Sequence, residues 1–182
     1  MKILVLESSG NKKGSSNMLA GEFIRGAEEA GHEVKEFDVS HSDIRPCLGC
    51  NGCYSERCLG VCVQKDDFEP GLKNLVKECD MLVFAMPVYY YNWPAQLKRV
   101  IDRFYSFNSE MKDMAKKTVL LTVAADADDD AFAVTIAYYR KLCAYLNFTD
   151  LGMVVGKGCG TPELTAASPY PGKAYELGRS LT

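Results

Sequence analysis

A chain of 182 residues, 47% hydrophobic and 25% charged, has the composition of a soluble globular domain. It is long enough to bury about two-thirds of its unfolded surface and too short for a second full domain. A net charge of −3 excludes a general nucleic-acid binder, and no apolar run approaches the roughly 20 residues that span a bilayer, so neither nucleic acid nor membrane is an expected partner.

Lys2 to Leu6 (KILVL) is a dense aliphatic run of the kind a parallel strand shows when both faces are buried. With this strand-like run directly behind Met1, no leader is expected at this end and the expected location is cytoplasmic. Glu7 to Ser16 is rich in Ser, Gly, Asn and Lys, after which Met18, Leu19, Phe23, Ala27 and Ala30 recur at helical spacing until Gly31. Glu33 to Val39 alternates as a strand nearer a sheet edge. From residue 41 to 67 neither period is visible, and this stretch is expected to be an excursion loop. Phe68 to Glu78 reads as a helix, Met81 to Met86 as an apolar strand, and Pro94 to Ser106 as an amphipathic helix. A strand at Thr118 to Val123, a long helix at Ala131 to Phe148, a short strand at Gly152 to Val155 and a closing helix at Lys173 to Leu181 complete the chain. Five strands alternating with helices specify one α/β domain over residues 1–182, a doubly wound parallel sheet with ligands expected at the carboxyl ends of its strands.

Three polar turns reach that edge. In the first, Ser9, Ser15 and Ser16 surround a helix N-terminus, where free N–H groups and the helix dipole favour an anion. It matches neither the Walker spacing nor the dinucleotide fingerprint, so a small phosphate monoester suits it; a solvated turn capped by Ser or Asn is the alternative. The second turn runs Pro87-Val88-Tyr89-Tyr90-Tyr91-Asn92-Trp93-Pro94. Four exposed aromatics between two prolines point to a flat heteroaromatic ligand, or to a Tyr-rich dimer interface. The third turn includes Ala124, Ala125 and Asp126, followed by acids to Asp130 that suit a solvated helix entry. His32 and His41 read as surface residues, and no Ser/His/Asp set or carboxylate pair stands at catalytic spacing.

Five of the eight cysteines, Cys47, Cys50, Cys53, Cys58 and Cys62, fall within the loop, a density that points to redox or metal chemistry. Zinc is disfavoured because its ligands usually split into two separated pairs. Reduced thiols or an opportunistic disulfide are the plain alternative. Cys79 and Cys143 lie in helical patterns and read as core residues; Cys159 stands unassigned in a glycine-rich loop.

The stretch PVYYYNWPAQLKRVIDRF, Pro87 to Phe104, resembles the flavin-loop and helix signature of the NADPH-dependent FMN reductase-like branch of the flavodoxin superfamily. The first and third turns and the tail from Gly156 to Gly178 are similar to that family's phosphate loop, third loop and closing region. The resemblance implies a flavodoxin-like three-layer sandwich of strand order 2-1-3-4-5. It implies one FMN, with NAD(P)H as donor and a quinone, free flavin or redox protein as acceptor, in a homodimer or homotetramer; a flavodoxin-like electron carrier is the alternative activity. Carried over, Ser9, Asn11, Ser15, Ser16 and Asn17 would hold the phosphate. Pro87, Val88, Tyr89, Tyr90, Tyr91 and Asn92 would frame the ring, with Ala124, Ala125 and Asp126 on its far side. Glu7 departs from the pattern, standing where many relatives have Gly, as does Trp93-Pro94. The run Cys47-x2-Cys50-x2-Cys53-x4-Cys58 also resembles the [4Fe-4S] motif of iron-sulfur flavoproteins, with Cys62 competing as fourth ligand. Cluster-free relatives carry a similar loop followed by Cys-Val-x-x-Asp-Asp, here Cys62 to Asp67.

Overall fold

A computed structural model describes residues 1–182. Five parallel strands, β1 (Lys2–Glu7), β2 (Glu33–Asp38), β3 (Met81–Pro87), β4 (Lys117–Val123) and β5 (Thr149–Gly156), form one sheet in the order β2-β1-β3-β4-β5. This is the expected order, and it places β3 at the centre with β1 and β4 on either side. Side chains alternate across the sheet, so Ile3, Val5, Val83, Ala85 and Leu121 enter one core while Leu4, Leu6, Phe84, Met86 and Leu120 enter the other. Burial of both faces explains why these strands read as unbroken apolar runs.

Helices α1 (Ser15–Glu29) and α7 (Tyr170–Arg179) cover the first core. They cross at two glycines: a Cβ on Gly26 would lie 2.2 Å from Tyr175 O, and one on Gly178 2.2 Å from Phe23 O. Helices α2 (Lys73–Glu78), α3 (Ala95–Arg103) and α5 (Asp130–Leu146) cover the second core. Two short helices, α4 (Asn108–Asp113) and α6 (Pro162–Ala166), lie outside the sequence expectation. Each presents a single buried residue, Met111 and Thr165, which is too little to set a period. The helix expected from Phe68 begins as a π-helical turn, Phe68–Leu72, in which Leu72 N–H reaches Asp67 O at 3.1 Å.

Residues 41–67 contain one 3-10 turn, at Gly52–Tyr54. The ends of this stretch are clamped together. Asp43 and Asp67 exchange two hydrogen bonds at 2.8 and 2.9 Å. Arg103, 1% exposed, holds Asp66 through both terminal nitrogens, at 2.7 and 3.1 Å. No helix of the chain is long and apolar enough to cross a membrane.

Candidate flavin site at the carboxyl edge of the sheet

The three polar turns leave β1, β3 and β4, which are adjacent in the sheet. Strand spacing sets about 10 Å between the first and third turns, with the second between them. Ser8 fastens the first turn to β3, its N–H and hydroxyl both donating to Ala85 O, at 3.0 and 3.1 Å. Val88 N–H donates to Val123 O at 2.8 Å, fastening the second turn to β4.

In the first turn the loop folds on itself: Gly14 N–H donates to Asn11 O at 2.8 Å and Lys13 N–H to Asn11 Oδ1 at 3.1 Å. Gly14 is the N-cap of α1 and supplies no side-chain cap. The alternative of a Ser or Asn cap is therefore not what forms, and the first N–H groups of a 15-residue helix are left unspent. Around them Ser9, Ser15 and Ser16 are buried, Asn17 half-buried and Asn11 exposed. A Cβ at Gly14 would meet Asn11 O at 2.9 Å and Ser9 Oγ at 3.0 Å, so the loop closes this tightly only with glycine there. Buried hydroxyls, uncapped amides and a dipole end form a cradle that fits a phosphoryl group.

The second turn is a tight reversal, with Tyr89 and Asn92 hydrogen bonded to each other in both directions, at 3.0 and 3.1 Å. Its central residues, Tyr90 and Tyr91, both have positive φ, 47° and 64°. Such a turn ordinarily takes Asn-Gly; two tyrosines there store strain, a feature that concentrates at ligand sites. Tyr89, Tyr90 and Tyr91 are exposed by 50%, 99% and 56%. Trp93 corrects the expectation of four exposed aromatics: it is 6% exposed, packs at 4.9 Å on Tyr138 and 5.2 Å on Phe84, and donates its indole N–H to Thr135 O. Trp93 anchors the turn, together with Thr135, whose hydroxyl donates to Tyr91 O at 3.2 Å.

In the third turn Ala124 is half-buried, and Ala125 and Asp126 are exposed. Cys159 gains a role here that the sequence left open. Its N–H donates to Ala124 O at 2.7 Å, while Gly158 N–H donates to Asp126 O at 2.9 Å. The glycine-rich loop thus braces the third turn from behind.

Glu7 stands at the base of the first turn, half-buried and beside Asp38 in the register. Burial, then Glu36 and Asp38, push its carboxyl up to about 7, with Lys12 opposing. In the cysteine loop Cys47 and Cys50 are exposed, and Cys53, Cys58 and Cys62 are half-buried; none is paired in a disulfide. As the side chains stand, no three of the chain's Cys, His, Asp or Glu residues converge to hold one metal ion. Cys79 and Cys143 are core residues, as expected. His41 is exposed, whereas His32 is half-buried between the N-terminal amine and Leu181 O.

A family profile described as NADPH-dependent FMN reductase matches residues 1–158. An iron-sulfur flavoprotein of Archaeoglobus fulgidus is 28% identical over 183 residues, spanning 97% of this chain and 80% of that one. Among solved structures, an azoreductase from Bacillus anthracis superposes with a TM-score of 0.75 at 19% identity, over 100% of both chains. An NAD(P)H:quinone oxidoreductase from Methanothermobacter marburgensis gives 0.73 at 20% identity, over 98% of this chain and 94% of that one. Fold and family match agree: the chain belongs to the NADPH-dependent FMN reductase family, as a flavodoxin-like, FMN-dependent oxidoreductase served by NAD(P)H.

Proposed function

We propose that the chain lays one FMN across the carboxyl edge of its sheet and passes reducing equivalents from NAD(P)H to a small planar acceptor, a quinone or free flavin. The observation that carries this reading is the alignment, on neighbouring strands, of an uncapped, serine-lined helix N-terminus and a strained, exposed tyrosine turn. Ser9, Asn11, Ser15, Ser16 and Asn17 hold the phosphate. Pro87 to Asn92 frame the ring, with Tyr89, Tyr90 and Tyr91 as its apolar wall, and Ala124, Ala125 and Asp126 close the far side. Bound FMN supplies hydride acceptance and release of electrons singly or in pairs. The residues need only bind, orient and leave one ring face open, which accords with the absence of an acid–base set at the turns. The proposed assembly is a homodimer or homotetramer.

A [4Fe-4S] cluster in the cysteine loop would be held by Cys47, Cys50 and Cys53 with Cys58 or Cys62, after their side chains rotate from where they stand, and would supply single-electron transfer to a redox protein. The name of the Archaeoglobus relative supports this, as does Arg103 beneath the loop, a buried cation whose Nε–H has no acceptor. Steady-state oxidation of NADPH or NADH by the FMN-loaded protein, with and without added quinone, tests the enzymatic reading. Quinone-dependent turnover is expected; negligible turnover with either donor would leave a carrier in its place.

A further inference from the structure

A carboxylic acid stands at the foot of the phosphoryl cradle. Glu7 ends β1, directly ahead of the first turn, and strand alternation places it on the face of Ile3 and Val5, the face that α1 covers. Because α1 connects two parallel strands it runs back along β1, so its first turn lies at this end of the strand. Ser9, two residues beyond Glu7, brings its hydroxyl to 3.0 Å from where a Cβ of the N-cap Gly14 would sit. At most about 7 Å of chain therefore separates Glu7 from a residue that touches the helix N-terminus.

The charges around Glu7 do not compensate it. Its register partner on β2 is Asp38, and Glu36 lies one pleat earlier on the same face; on the other flank β3 offers only Ala85. Lys12 from the first turn pairs with Asp38 at 3.7 Å, and Lys13 beside it is exposed. His41, from the segment after β2, sets its Nδ1 2.8 Å from the same Asp38 carboxylate. The first turn of α1 contributes Ser15, Ser16 and Asn17, all uncharged. Half-buried and without an ion pair, Glu7 is held up to about 7 by burial and then by Glu36 and Asp38, so in the FMN-free chain it exchanges its proton near neutral pH. A phosphate monoester carries close to two negative charges above that pH, and a like charge nearby favours the neutral acid.

We propose that Glu7 makes the loading of FMN proton-coupled: the chain takes up a proton at Glu7 as the phosphoryl group enters the cradle, and it loosens its hold on the cofactor as the medium turns alkaline. The inference rests on the FMN-binding reading above. Glu7 holds its proton more tightly beneath a phosphate than in the empty cradle, so affinity falls as pH rises past about 7. Each pKa unit of coupling is a tenfold change in affinity.

The test is titration of the FMN-free full chain with FMN between pH 7 and pH 9, where the phosphate is already a dianion and its own protonation does not intrude. The parent's Kd is expected to rise about 10-fold over this range, while its Kd for riboflavin, which lacks the phosphate, changes less than about 2-fold. Glu7→Gln is expected to abolish the rise and to bind FMN about 10-fold more tightly than the parent at pH 9, with riboflavin affinity as the folding control; a variant that keeps the parent's pH dependence would overturn the assignment. Calorimetric titration of the parent with FMN at pH 7.5, in two buffers of different ionisation enthalpy, reads the proton without any variant. Uptake of about half a proton per FMN is expected, and no uptake would overturn the proposal. A parent that binds no FMN at any pH would overturn the FMN reading itself, whereas one that binds it with the same affinity throughout would overturn the coupling alone.

Discussion

Tyr90 and Tyr91 occupy the left-handed region at φ 47° and 64°, where a non-glycine residue costs about 1–2 kcal/mol. That strain is sustained by the Tyr89–Asn92 hydrogen bonds beneath it and by Thr135 and Trp93 from α5 and the second core. Tyr90→Asn should therefore raise Tm by about 2–4 °C while weakening FMN binding about 2- to 10-fold through the lost aromatic contact. Thermal melts of the FMN-free protein and a fluorescence titration separate the two effects; a lowered Tm would mean that the tyrosine stabilises the turn. Glu7 makes a prediction of opposite character. Its folded carboxyl, pushed up to about 7 by burial, Glu36 and Asp38, lies above the ordinary 4.5. The fold thus favours the neutral acid: its contribution is complete below about 4.5 and is lost as pH rises through about 7. Glu7→Gln should raise the urea midpoint at pH 8 more than at pH 5, and an equal change at both would contradict the assignment.

Helices α1 and α7 meet backbone to backbone at Gly26 and Gly178, and the opposing atoms are main-chain and cannot swing aside. Gly178→Ala should cost about 1–3 kcal/mol, lowering Tm by roughly 3–10 °C; an unchanged melt would show that the helices part freely. At this scale the sequence was a good guide where burial dictates pattern. The runs Lys2 to Leu6, Met81 to Met86 and Thr118 to Val123 are strands because both faces are covered, and the three turns behind them reach one edge as expected. It was a poor guide where tertiary contacts decide. Trp93 looks exposed between Tyr91 and Pro94 until α5 supplies Tyr138 and Thr135, far along the chain, to bury it. Cys159 is silent until β5 carries it back beside Ala124, and no residue type announces that two tyrosines share a positive φ. The cap of α1 is likewise a matter of geometry: the segment is full of serines and asparagines, yet Gly14 takes the capping position.

Across the whole molecule, exposed large apolar side chains are concentrated on one layer. Leu48, Tyr54, Leu59, Val61 and Val63 come from the cysteine loop, Tyr89 to Tyr91 from the second turn, and Tyr105, Val134 and Tyr145 from the end of α3 and from α5; Leu164 lies apart. A patch of this kind marks a contact surface, and closed two-fold pairing is the commonest way to cover it. On that reading the parent sediments as an oligomer and Tyr105→Glu with Tyr145→Glu as a monomer in sedimentation velocity, with FMN content retained; a monomeric parent would contradict that use of the layer. The account as a whole turns on the serine-lined N-terminus of α1 and the tyrosine turn gripping the two ends of one flavin. Titration of FMN-free protein with FMN, read by quenching of flavin fluorescence, tests this most directly. Binding of one FMN per chain at micromolar affinity or tighter is expected, weakened by about 10- to 100-fold in Ser16→Ala, the loss of a hydrogen bond to a charged group. Protein that takes up no FMN, or a Ser16→Ala variant that binds it as tightly as the parent, would contradict it.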